Sequence, residues 1–149
     1  MRKILIIFLI FFVSRGIINS DEKMTNTEFN DYLIEFSNDI KKDTTNISKE
    51  IVSSIENKLF SKNYYKSKID KLSREIKLTD KVYDENIMNY ISPIEIKLKN
   101  EYSSLSNYIE NIDISELSKR PDYIKDIQRQ INLYISKIDD ILDSININS

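Results

Sequence analysis

The sequence predicts an all-α protein, an antiparallel helical bundle of about four long helices preceded by a cleavable signal peptide. Three observations carry that expectation. Apolar residues after position 25 recur at steps of three and four, and the positions between them are Lys, Asp, Glu, Asn and Ser. The one glycine among 149 residues is Gly16, inside the leader, so a multi-stranded domain would lack its Asn-Gly and Asp-Gly turns. The last segment places isoleucine every seven residues, a coiled-coil-like heptad.

The leader comes first. Met1-Arg2-Lys3 is basic, Ile4 to Val13 is an unbroken apolar run, and Ser14 to Ser20 is polar with small residues. That order is the layout of a secretory signal peptide. The run is too short to cross a bilayer, which takes about 20 residues. Cleavage fits after Gly16 or after Ser20. The expected division is residues 1–20 as signal peptide and 21–149 as the bundle domain. The expected location is secreted or cell-surface, or periplasmic in a bacterium. Without cysteine no disulfide or lipidated thiol is available, so packing must supply the stability.

The helices follow in order. Phe29, Leu33, Phe36 and Ile40 share one helical face, begun by a capping box of Thr25 and Glu28. Ile47, Ile51, Ile55 and Leu59 extend the pattern, then Tyr65, Ile69, Leu72 and Ile76, then Tyr83, Ile87 and Ile91. Asp43-Thr44-Thr45-Asn46 and Thr79-Asp80 read as breaks. Residues 46–91 are compatible with one helix or two. Ser92-Pro93-Ile94-Glu95 reads as a helix start, with Ser92 as cap and Pro93 in the first turn. The alternation from Ile94 to Lys99 resembles a strand, but the missing turn residues favour helix. Asp113 with Glu116 is a further cap, and Pro121-Asp122 opens the last helix. There Ile124, Ile131, Ile138 and Ile145 form the seven-residue repeat, with Ile127, Tyr134 and Ile141 between them. The predicted pieces are 26–42, 46–78, 80–91, 93–112 and 122–146.

Residue types exclude most catalytic chemistry. With no His and no Cys, the His-based triads, thiol nucleophiles and structural zinc sites are absent. Without glycine after the leader there is no phosphate-cradling loop, dinucleotide fingerprint or nucleophile elbow. No enzyme activity, cofactor or metal is expected. Loss of Arg2, Lys3 and Arg15 with the leader lowers the basic count from 22 to 19 against 24 acids, a net charge of −5. Such a chain has no general attraction to nucleic acid or anionic lipid. Asp139, Asp140 and Asp143 are acidic neighbours, but one helix offers too few convergent oxygens for calcium.

What remains is surface. Lys58, Lys62, Tyr64, Tyr65, Lys66 and Lys68 form a candidate partner-binding patch, since tyrosine anchors contacts and lysine steers them. An ordinary solvated helix face would read the same way, and Asp70 and Glu75 fit that alternative. Asn46-Ile47-Ser48 is an N-glycosylation sequon, which matters in a eukaryote. Ile124, Ile127, Ile131 and Ile138 could fill the bundle's own core or pair copies as a homo-oligomer. The function expected is a non-enzymatic secreted or surface-exposed bundle that binds a host or self protein, with host interaction and virulence as one setting. A periplasmic or luminal chaperone is the first alternative. A membrane-active bundle is the second, weakened by the net charge and the lack of a long apolar hairpin.

Overall fold

A computed structural model describes residues 23–145, and the expected signal peptide, residues 1–20, lies outside them. Five helices follow one another: α1 (Asn26–Glu56), α2 (Lys62–Arg74), α3 (Glu85–Glu110), the single-turn α4 (Ile114–Leu117) and α5 (Pro121–Asp143). A 3₁₀ turn at Thr79–Lys81 lies between α2 and α3. Among the described residues there is no strand, only an isolated bridge between Met24 and Val82. The four long helices run up, down, up and down. α2 packs on α3, α3 on α5, α5 on α1 and α1 on α2, closing a ring.

Local signals explain most ends. Thr25 and Glu28 form the capping box at α1, the Thr25 amide donating to Glu28 Oε1 at 2.9 Å and the Glu28 amide to Thr25 Oγ1 at 3.2 Å. Asp113 caps α4 through the Ser115 amide, and Pro121 is the first residue of α5. At the lower end Glu95 Oε1 accepts from the amides of Leu78 (2.5 Å) and Thr79 (3.0 Å), which fixes the 3₁₀ turn against α3.

Three expectations are corrected. The chain does not break at 43–46, because Thr44 is buried and satisfied within α1. Its hydroxyl donates to the Ile40 carbonyl at 2.7 Å and shares a 2.6 Å hydrogen bond with the Tyr102 hydroxyl. The 46–78 piece is instead cut at 57–61, with Asn57 ending α1 and Ser61 capping α2. Pro93 is no boundary either: it sits inside α3, which Asp84 starts by accepting from the amides of Asn86 (2.8 Å) and Ile87 (3.1 Å). A helical proline leaves the carbonyl four residues earlier without its N–H partner. Here that carbonyl belongs to Asn89, and Asn89 and Pro93 are both exposed, so water can serve it. Ile91 and Ile94 on either side stay buried and hold the helix to the core.

The core contains most of the predicted apolar series. Phe29, Leu33, Phe36, Ile40, Ile47, Ile51, Ile55, Tyr65, Ile69, Leu72 and Ile76 are all buried. Each full burial of such a side chain contributes about 1.5–3 kcal/mol. Two members fall outside: Leu59 is 76% and Tyr83 71% exposed, because each lies in a connection rather than on a helix. On α5, Ile127, Ile131, Ile138 and Leu142 are buried against the other helices. Ile124, Tyr134, Ile141 and Ile145 flank them and are partly buried.

Candidate functional surface

The upper end of the bundle brings together the end of α1, the start of α2, the whole of α4 and the start of α5. α1 closes there in a Schellman motif. Lys58 adopts φ 59°, its amide donates to the Ile55 carbonyl at 3.1 Å, and the Leu59 amide reaches the Ser54 carbonyl at 2.7 Å. Glycine is the residue suited to that position. Gly16 is the one glycine of the sequence, and here a lysine occupies the position.

The six residues of the predicted patch separate into different roles. Lys58 is not on a helix, whereas Lys62, Tyr64, Tyr65, Lys66 and Lys68 lie on α2. Lys62 Nζ donates to the Glu110 carbonyl at 2.8 Å, serving the end of α3. Lys66 Nζ lies 3.2 Å from Asp70 Oδ2 and 3.3 Å from Ser106 Oγ, tying α2 to α3. Lys68 Nζ lies 3.1 Å from Glu50 Oε1 and 5.0 Å from the Tyr64 ring centroid. The Tyr64 side chain, and then Glu50, raise its pKa above the ordinary lysine value. Tyr65 is buried, stacked on Phe60 at 5.8 Å and edge-on to Tyr64 at 5.0 Å. Tyr64 remains half exposed. Three of the four lysines are therefore engaged inside the chain; Lys58 is left to solvent, and Tyr64 is half exposed beside Lys68 and Tyr65.

Beside them lies a feature that the sequence did not signal. Ile55, Phe60, Ile114, Leu117 and Ile124 line an apolar groove of about 310 Å³, with Glu56, Lys58 and Ser118 at its polar edge. Leu59 and Ile114 stand exposed there. The groove lies between the α1–α2 corner, the single turn of α4 and the start of α5. Its residues come from four separate segments, so no local spacing marks them. Ile114 and Leu117 share the short helix, which is the one hint the sequence offers.

Asn46 is exposed on α1, and Ser48 of the same sequon is buried, so a glycan would have to be added before the helix packs. Ile127, Ile131 and Ile138 face the core of their own chain, with Ile124 partly buried beside the groove. Asp139, Asp140 and Asp143 do not converge: Asp143 pairs with Lys41, and no group of three acidic residues among the described residues could hold a metal ion. No helix among them is long and apolar enough to cross a membrane. No protein-family model matches the chain, and neither a curated protein nor a solved structure matches it.

Proposed function

We propose that the protein is a secreted or surface-exposed, non-enzymatic helical bundle that binds another protein through its upper end. A host-facing role is the setting that a leader and a single binding domain suit best. The observation that carries the reading is the apolar groove with Leu59 and Ile114 exposed beside it. A small monomer gains nothing in stability from a leucine left 76% in water, and exposed apolar surface beside a concave site marks contact regions. Lys58 and Tyr64 add the residue types that anchor and orient a protein contact.

A photo-crosslinking residue placed at position 59, with a control at exposed position 85 on the opposite end, tests the proposal. The labelled protein is applied to its producing cells and to host-cell surfaces. The expected result is a protein adduct from position 59 and none from position 85. Equal labelling from both positions, or none from either, overturns the reading.

A further inference from the structure

The upper end carries a protrusion and a hollow side by side. Lys58 and Phe60 line the groove, whereas Leu59 between them does not and projects from the rim. The projection has a local cause. After a Schellman motif the residue in the Leu59 place ordinarily packs on the residue that its amide reaches. Here that residue is Ser54, which offers no apolar surface. The rim is also mixed in charge. Glu56 and Lys58 lie two residues apart at the edge, both exposed, and neither side chain forms an ion pair among the described residues.

We infer that this face binds a second copy of the same chain, each copy's Leu59 seated in the other's groove and each Glu56 set against the other's Lys58. A two-fold contact joins a patch to itself, so the patch must carry both halves of every interaction. This one does so in shape and in charge: knob beside hole, acid beside base. A partner with one predominant charge would leave either Glu56 or Lys58 facing its own sign. The groove of about 310 Å³ has room for a leucine side chain together with part of its neighbour. The inference rests on the binding reading above and names the partner.

Sedimentation equilibrium of the leaderless protein, from about 1 µM to about 1 mM, covers the range of weak specific contacts. The expected result is a dimer for wild type and at least a tenfold weaker one for Leu59→Asp. Because Leu59 is exposed, that variant should keep the wild-type circular dichroism. Glu56→Lys and Lys58→Glu should each weaken self-association, and an equal mixture of the two should associate as a heterodimer. A wild type that stays monomeric to the top concentration overturns self-pairing, as does a dimer indifferent to Leu59→Asp or a mixture that fails to associate. In each of these cases an adduct from position 59 to a different protein leaves the binding reading standing; its absence removes both.

Discussion

Thr44 shows how one hydroxyl can reverse the apparent meaning of a polar run. Its single proton goes to the Ile40 carbonyl, so the Tyr102 phenol must be the donor in the bond between them. Burial pushes that phenol up to about 12. The partner is 58 residues away in sequence, which is why Asp43-Thr44-Thr45-Asn46 reads locally as a break. Thr44→Val should cost about 1–3 kcal/mol, since it strands a buried donor, and Tyr102→Phe should cost less, since the Thr44 hydroxyl keeps its bond to the Ile40 carbonyl. The double variant should cost less than the sum, because neither group is then left unpaired. Urea unfolding with an unchanged slope checks both statements. Asp139 gives a second test at this scale. One of its carboxylate oxygens is buried without a partner, and burial raises its pKa above 3.8, against the opposing pull of Lys41. The folded state therefore holds that proton more tightly than the unfolded one. Its contribution is fully present below the ordinary value and lost as pH rises through the raised one. The caps Glu28, Asp84 and Asp113 have lowered values and act in the opposite sense, losing their contribution as the medium turns acid. The stability of Asp139→Asn relative to wild type should thus rise between about pH 3 and about pH 7; a difference independent of pH would contradict the assignment.

The helices themselves were legible where apolar spacing and a cap agreed. The face from Phe29 to Ile40, the Thr25–Glu28 box and the start at Pro121 all follow from adjacent residues. The failures came where spacing and caps conflicted. Leu59 falls four residues after Ile55 and so continues the helical face on paper, yet α1 has already ended at Glu56. The cause is the left-handed Lys58, a conformation that a lysine does not advertise. Lys58→Gly should raise stability by about 0.5–1 kcal/mol, as relief of the left-handed penalty outweighs the added freedom of the unfolded chain. Pro93 is the converse case, a strong stop signal overridden by burial of Ile91 and Ile94. Pro93→Ala should restore the hydrogen bond to the Asn89 carbonyl and stabilise α3 by about 1–3 kcal/mol, read as a higher thermal midpoint. A lower midpoint would mean that the proline ring makes a packing contribution of its own.

At the level of the whole molecule, composition foretold the class of structure and only part of the candidate site. The scarcity of glycine pointed to helices, and the described chain is helical throughout its long elements. The lysine and tyrosine patch lies at the corner where the helices turn, but three of its lysines serve the fold through Glu110, Asp70, Ser106 and Glu50. No local pattern in the sequence marks the groove, because Ile55, Phe60, Ile114 and Ile124 meet only after the bundle closes. Function then turns on whether that upper end is covered when the protein is at work. Hydroxyl-radical footprinting addresses this directly, comparing the protein in dilute buffer with the protein on its producing cells. The expected result is loss of labelling confined to Leu59, Phe60, Ile114 and Leu117, with Tyr83 at the far end unchanged. Equal labelling of all five residues in the two settings would contradict a binding role for this surface.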